Sequence, residues 1–318
     1  SNLPADLLGF WMVSGSNLAL HQSQDAWDLS KKVNSKMHFA QTAPGAGLPV
    51  PATLVCKKMD LGNPETSHFF AEHNNQVMVK ILGLAGARNV TAVSSLKEAQ
   101  EYVAEFESEL DLVLQQRLDT ERFTEMTVDL IVTDTDISIA NIRKILITDG
   151  LWVGNYISDG LTLSDKQREV CLEVGEYVRT LGHTSARGFN CGIDFFVDGD
   201  DIVLIEINAR WTGGLMPAHI IKRLNAESEH SVAFIDILST DQLTQYEQFV
   251  RSNLHGSEDG SFRIVPLGFS PFVQDINGEQ RIFVWQVVIG DYERFKLEKN
   301  AKLGANELPT ADVISLDI

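Results

Sequence analysis

Asp194, Glu206, Asn208 and Arg210 lie within "GIDFFVDGDDIVLIEINAR", spaced by twelve, two and two residues. Successive strand side chains alternate faces, so Glu206, Asn208 and Arg210 share one side of a strand and Ile205, Ile207 and Ala209 the other. A carboxylate among apolar neighbours calls for a metal, a cation or a wet edge. A strand end with one solvated face is the plain alternative. The sequence "DGDD" reads as a hairpin turn. A three-residue loop puts Asp194 directly across from Glu206, whereas a tighter Asp198-Gly199 turn shifts that pairing. Two carboxylates and an amide oxygen make the hard donor set that magnesium takes, with water and phosphate oxygens completing the shell.

Such a site needs a scaffold, and 318 residues suffice for two to three subdomains with a substantial core. Hydrophobic residues make up 44% and prolines number only 9, which excludes a largely disordered chain. Acidic residues outnumber basic ones 44 to 26, for a net charge of -18, so the surface is unsuited to coating nucleic acid. A polyphosphate would therefore need local basic groups and a divalent cation to overcome the field of the whole molecule. Cys56, Cys171 and Cys191 are widely spaced and show no CxxC pair, which fits a reducing cytoplasm rather than a disulfide framework or zinc site. The start "SNLPADLLGFWMVSG" has neither a basic leader nor an apolar run of spanning length, so neither secretion nor a membrane span is expected.

Periodicity supplies the elements. Asp25 to Thr42 has apolar residues at helical spacing and stops at "APGAGLPVP". A strand "ATLVC" follows, then "QVMVKILGLAG", a strand running into a glycine loop. "SSLKEAQEYVAEFESEL" reads as a helix opened by serines, and "DLVLQQRL" as a strand. "EMTVDLIVTD", "ISIANIRKILI" and "LWVGNYI" read as antiparallel strands. Ser164 to Leu181 reads as a helix with Val170, Leu172, Val174 and Val178 inward, "AHIIKRL" after Pro217 as another, and Val232 to Val250 as largely helical. Strands "FRIVPLGF" and "RIFVWQVVI" occupy the tail. The expected class is α+β, divided into an N-terminal helical segment (1–48), a lid subdomain (49–118), a metal and catalytic subdomain (119–240) and a C-terminal α+β extension (241–318).

Several motifs now stand in a fixed order: "LSKKVNSKMHFAQTAPGAGLPVPAT", "QVMVKILGLAGARNV", "LVLQQRL", "RFTEMTVDLIV" and "RGFNCGIDFFVDGDDIVLIEINARWTGG". In that order they resemble the ATP-grasp superfamily of carboxylate-amine ligases, over roughly Leu29 to Pro217. The resemblance implies two α+β subdomains clasping ATP, with Asp194, Glu206 and Asn208 holding two magnesium ions, for which manganese can substitute. It makes Lys80 the lysine that reaches the α- and β-phosphates, although a strand-end lysine in solvent is the ordinary alternative. Gly83 and Gly86 would let backbone N–H groups approach the triphosphate, with Arg88 beside them. Gln115, Gln116 and Leu118 fall at the adenine hinge, where relatives often carry glutamate, and Glu125 matches the acceptor for the ribose hydroxyls. Lys36, Arg143 and Lys144 fall where relatives place cations around the triphosphate or the transferred phosphoryl group. Trp211 and His219 border the site, where a core tryptophan and a surface histidine are the ordinary readings.

In the family's reaction a substrate carboxylate attacks the γ-phosphate, and an amine then displaces phosphate from the acyl phosphate. Lys80, Asn208 and Arg210 are the catalytic candidates, and positioning with charge neutralisation does the chemistry. Arg210 offers a fixed fork for the acyl phosphate or the later oxyanion. Thr212, Gly213 and Gly214 let a loop approach the substrate. The implied partners are a small carboxylate and an amine, of amino-acid or peptide type, with no nucleic acid or membrane. Relatives carry an α/β domain before the opening helix where only about two dozen residues stand here, so either the sequence is shortened at this end, or the tail from Phe262 onward and a second subunit, as in a homodimer, complete the pocket. Ala209 replaces a proline common in the motif. The same site supports a kinase or a ligase with a thiol acceptor, and a non-catalytic nucleotide-binding regulatory subunit is the reading from another class.

Overall fold

The computed structural model describes residues 23–81, 90–148, 151–269, 274–276 and 278–304. In chain order these form α1 (Gln24–Val33), α2 (Lys36–Thr42), β1 (Thr53–Lys57), α3 (Pro64–Glu72), β2 (Val77–Ile81), β3 (Val90–Val93), α4 (Leu96–Tyr102) and β4 (Asp111–Gln116). There follow β5 (Thr124–Val132), β6 (Ile137–Thr148), β7 (Leu151–Ile157), α5 (Asp165–Thr180), β8 (Phe189–Asp198), β9 (Asp201–Asn208) and α6 (Leu215–Arg223). The rest comprises β10 (Ser231–Ser239), α7 (Leu243–Asn253), β11 (Phe262–Phe269), β12 (Gln274–Ile276), β13 (Glu279–Gly290) and α8 (Tyr292–Leu303). Helices and antiparallel sheets together make the α+β class expected.

Two compact units emerge, one within Ser1–Ile142 and Leu163–Thr212, the other Arg143–Thr162 with Gly213–Ile318. The division follows different lines from the four sequence segments, because β6 passes from the first unit into the second at Ile142–Arg143.

In the first unit the smaller sheet has the order β1-β4-β2-β3. Val77, Val79 and Ile81 of β2 and Leu112 and Leu114 of β4 pack with Phe69, Phe70, Ala99 and Val103 from the helical side. By alternation, Met78 and Lys80 of β2 and Val113 and Gln115 of β4 take the other face. Helix α4 is capped by Ser95, which accepts from the Glu98 amide. It ends earlier than the sequence pattern suggests, because beyond Val103 the chain supplies Glu105, Glu107 and Glu109 and little apolar face to bury.

The single helix expected over 25–42 is two. Asn34 caps the end of α1, and Ser35 restarts the chain as α2 by accepting from the His38 amide. Within the same unit β5 is flanked by β6 and β8, and β9 lies beyond β8. Helix α5 opens on a Ser164–Gln167 capping box and buries Cys171, Val174, Gly175 and Val178, while Val170 and Leu172 are only half-buried at its margins.

The β8–β9 hairpin realises the expected pairing by another route. Asp198 pairs with Asp201 across a two-residue turn, Gly199-Asp200, and this register would place Asp194 opposite Ile205. A β-bulge inserts Ile205, so that Phe195 faces Leu204 while Asp194 faces Glu206. Burial changes phase at the bulge: Ile202 and Leu204 are buried before it, and Ile207 and Ala209 after it.

In the second unit β10 lies between β7 and β13, and β11 flanks β13. The helix expected from Val232 is therefore strand β10 as far as Ser239, and only Leu243–Asn253 is α-helical. Strand β10 buries Val232, Phe234 and Leu238 in one core cluster and Ala233 in another, and so loses the period-two signal that distinguishes a strand from a buried helix. Helix α6 starts at Leu215, before Pro217, which the first turn accepts because its missing N–H has no helical partner there. A fully buried ion pair, Lys299 Nζ to Asp236 Oδ2 at 2.5 Å, fixes α8 to β10.

Gly199 holds φ at 54°, and no atom lies within 4 Å of where its Cβ would stand. Gly199→Ala should therefore cost backbone strain alone, about 1–2 kcal/mol, seen as a lower urea midpoint with an unchanged slope.

Candidate active site

The registers of β5, β8 and β9 arrange one face in rows. Glu125 stands opposite Phe196, Thr127 opposite Asp194 opposite Glu206, and Asp129 opposite Gly192 opposite Asn208. Six polar side chains thus share a face with a single glycine among them. A Cβ on Gly192 would come within 2.2 Å of Thr212 Cγ2, so the glycine is what lets Thr212 settle there. Thr212 Oγ1 donates to Asp129 Oδ1 at 2.8 Å, and Asn141 Nδ2 donates to the other oxygen of this fully buried carboxylate at 3.0 Å.

Asn208 Nδ2 donates to Asp194 Oδ2 at 2.8 Å and to Glu206 Oε1 at 3.2 Å, drawing the two carboxylates together. From the start of α2, Lys36 Nζ reaches Glu206 Oε2 at 2.5 Å. Burial pushes the Glu206 carboxyl up, but the charge and hydrogen bond of Lys36, with Lys80 and Arg210 behind it, more than offset this and hold it below its ordinary range. Among the described residues no cation makes an ion pair with Glu125 as Lys36 does with Glu206. Burial first, then the like charges of Asp194 and Glu206, push it up to about 7, against the pull of Lys80. Lys80 is only 5% exposed. Burial and the neighbouring Lys36 pull it down to about 8, opposed by Glu206, Glu125 and Asp194. The expected alternative of a lysine in solvent does not hold.

These donors suit a hard divalent cation. Asp194 and Glu206 already attract an ammonium group and two amide hydrogens, and Asn208 could turn its carbonyl oxygen to the same point by rotating its amide. Among the described residues no cluster of three or more His, Cys, Asp or Glu could cage a metal. A pair of carboxylates plus an amide suits magnesium, which takes one or two carboxylates and completes its shell with water and phosphate.

Arg210 lies just past β9. Burial lowers its affinity for its proton, while Glu206 and Asp194 raise it. Its Nη1 donates to Asn34 Oδ1 at 2.7 Å. The first unit thus brings together Lys36, Lys80, Glu125, Asp194, Glu206, Asn208 and Arg210. Gln115 is buried, with Nε2 donating to Thr53 Oγ1 at 3.1 Å. The Gln116 amide donates to Ala52 O, the Arg117 amide to Gln76 O, and Leu118 is half-buried beyond the strand.

Arg143 belongs to the second unit. It is 1% exposed, and its Nη1 occupies the space a Cβ on Gly214 would take, at 1.3 Å from that point, with Asn155 Oδ1 at 2.5 Å from it. Lys144 is half-buried beside it, and Trp211 is half-buried in the first unit. His219 is exposed on α6, as a surface histidine would be. Gly83, Gly86 and Arg88 lie outside the described residues. Sequence reasoning missed Asn34, Thr127, Asp129 and Asn141. Only Asp129, a charge inside "TVDLIV", carried a usable signal.

A model of the ATP-grasp domain matches residues 33–214. No curated protein matches the chain. Solved structures do. Carboxyaminoimidazole ribonucleotide synthase from Aspergillus clavatus, complexed with ATP, is 15% identical over 84% of this chain and 72% of that one, with a TM-score of 0.58. Phosphoribosylamine–glycine ligase from Thermotoga maritima is 13% identical over 87% and 76%, with a TM-score of 0.57. The biotin carboxylase domain of 2-oxoglutarate carboxylase from Hydrogenobacter thermophilus, complexed with MgADP, ADP and bicarbonate, is 12% identical over 87% and 66%, with a TM-score of 0.54. At these identities the likeness speaks for the fold.

Lys80 is charged below about 8 and loses its proton above it. A polyphosphate held by Lys80 would need the charged form and, once bound, would draw the pKa back toward the ordinary value. Affinity for inorganic triphosphate, measured by calorimetry, should hold near neutrality and fall as pH rises through about 8, by at most about tenfold per pH unit. In Lys80→Met the affinity should be lower and this fall absent.

Proposed function

Since the chain belongs to the ATP-grasp domain family, we propose that it is an ATP- and magnesium-dependent ligase that activates a carboxylate as an acyl phosphate and joins it to an amine. The observation that carries this reading is the shared face of β5, β8 and β9, where Asp194, Glu206 and Asn208 meet under the charges of Lys36, Lys80 and Arg210. The reading assigns magnesium, as two ions, to the oxygens of those three residues. One structural neighbour holds MgADP. Magnesium supplies neutralisation of phosphate charge, and manganese is assigned as its substitute.

The chain's own residues account for the rest. Lys80 sits on the face of its sheet away from the helical core, and in this reading its ammonium binds the α- and β-phosphates. The 49–118 segment with that sheet then acts as the lid. Lys36 holds Glu206 and moves to a phosphate oxygen as nucleotide binds. Glu125, with a pKa of about 7, is half-ionised near neutrality and accepts the ribose hydroxyls in its carboxylate form. The backbone from Gln116 to Leu118 meets the purine edge, with Gln115 held by Thr53 behind it.

A carboxylate oxygen of the substrate attacks the γ-phosphorus as the bond to the β-phosphate oxygen breaks and ADP departs. An amine then attacks the acyl carbon, the bond to the phosphate oxygen breaks, and the amine's proton leaves with phosphate or to water. Arg210 stabilises negative charge in both steps, on the phosphoryl oxygens first and on the tetrahedral oxyanion second. No protein nucleophile is required. Arg143, Gly83, Gly86 and Arg88 are assigned to the triphosphate on the family resemblance alone.

Hydroxylamine in place of the amine tests the reading. With ATP, magnesium and pooled amino acids and small carboxylic acids, a hydroxamate and ADP should form together. A stable phosphate ester would mark a kinase, and no ADP a binding module. Glu206→Ala should keep the fold, since it deletes no core side chain, and should lower ADP formation by about 100-fold or more. Unchanged ADP formation would remove the metal assignment.

A further inference from the structure

We propose that Asn34, at the break between α1 and α2, is a positioning residue that sets the guanidinium of Arg210 for the transferred group. The inference rests on the ligase reading for the role of Arg210. It stands on geometry of its own.

Asn34 uses both halves of its side-chain amide on adjacent residues far along the chain. Oδ1 accepts from Arg210 Nη1 at 2.7 Å, and Nδ2 donates to the carbonyl of Ala209 at 3.2 Å. Nδ2 also donates to Ser30 O at 2.9 Å, and the Asn34 backbone N–H bonds to the same carbonyl at 3.2 Å. The amide is thereby tied to the last turn of α1, and its φ of -95° and ψ of 3° are those of a helix cap rather than of a continuing helix. This explains why the helix is interrupted here: an uninterrupted one would rotate residue 34 along the helical screw and lose the cap.

Arg210 needs an outside support. It follows the end of β9, where the local backbone bond is Arg210 N to Asn208 O at 2.7 Å. Glu206 and Asp194 attract its charge. A guanidinium free to rotate would fold down onto those carboxylates and compete for the oxygens assigned to magnesium. A neutral acceptor restrains it without cancelling its charge. Aspartate could not do the same, since it would neutralise the fork and lacks the donor for Ala209. Alanine supplies neither contact.

The test uses the full chain and reads position as well as rate. In protein labelled with 15N-arginine, the Arg210 side-chain N–H signals, assigned by their loss in Arg210→Ala, should show slowed exchange in the parent. They should collapse toward free-arginine behaviour in Asn34→Ala and stay restrained in Asn34→Asp. Turnover is followed as ADP formed from magnesium ATP with pooled amino acids and hydroxylamine. Asn34→Ala should lose about 10- to 100-fold in kcat with KM for ATP changed by less than about twofold, and Asn34→Asp should lose kcat despite its ordered signal. In an Arg210→Lys background Asn34→Ala should have little further effect. Unchanged Arg210 signals in Asn34→Ala, or an equal kcat loss in the Arg210→Lys background, overturns the inference. Full hydroxamate formation by Arg210→Ala would instead overturn the role of Arg210 in the ligase reading, a separate failure.

Discussion

The pairing of Asp194 with Glu206 is the constraint on which the site depends, and a single inserted residue secures it. A two-residue turn alone would set Asp194 opposite Ile205, which would put Ile205 on the polar face and turn Glu206 and Asn208 to the opposite one. The bulge at Ile205 changes the phase of β9 midway. The strand can therefore bury Ile202 and Leu204 before it, bury Ile207 and Ala209 after it, and still turn Glu206 and Asn208 toward the polar face. Packing and chemistry make conflicting demands on an eight-residue strand, and the bulge reconciles them at the cost of one unpaired residue.

Once the carboxylates share a row, their charge governs everything near them. Glu206 has Lys36 in contact, and it stays ionised although half-buried. Glu125 lies on the same face, where burial and the charges of Asp194 and Glu206 outweigh the pull of Lys80, and rises to about 7. Lys80 falls to about 8 because burial and Lys36 outweigh three carboxylates. The two groups therefore titrate on either side of slightly alkaline pH, and small changes in local charge decide their state. With a net charge of -18, the molecule repels anions at long range, so in the proposed reading attraction to phosphate falls to this concentrated set of cations.

The parts legible in the sequence were those in which one residue type has few reasons to be where it is. A lysine in "VMVKI" and carboxylates in "GIDFF" and "LIEIN" break apolar strands, and charge in such places has to be compensated. Strand alternation then placed Glu206 and Asn208 together without any structure. The illegible parts depended on partners remote in sequence. Asn34 looks like any helical asparagine until Ala209 and Arg210 come beside it, 175 and 176 residues later. Ile205 looks like one more apolar residue in a run, because a bulge adds a residue without a distinctive type. Strand β10 reads as helix in the sequence for a related reason: Val232, Phe234 and Leu238 enter one core cluster and Ala233 another, so "SVAFIDILS" has apolar residues on both faces and shows neither period.

The loop after β9 shows how the chain stiffens a segment that has no regular structure. Asn34 holds Ala209 and Arg210, and Asp129 holds Thr212, which fits only because residue 192 has no Cβ. The chain then passes to the second unit, where Gly213 packs at 3.3 Å from the Trp152 ring as measured from an ideal Cβ, and Gly214 yields its side-chain space to Arg143. Each glycine is thus matched to a large neighbour, so these glycines act as sockets rather than hinges. Fixed on successive residues, the loop has little conformational freedom left to lose, so a ligand bound against it would spend less of its binding energy on ordering it. Under the proposed ligase reading, a flexible loop in the same place would have to be ordered in every cycle, and the fork of Arg210 would be aimed only after the substrate had bound.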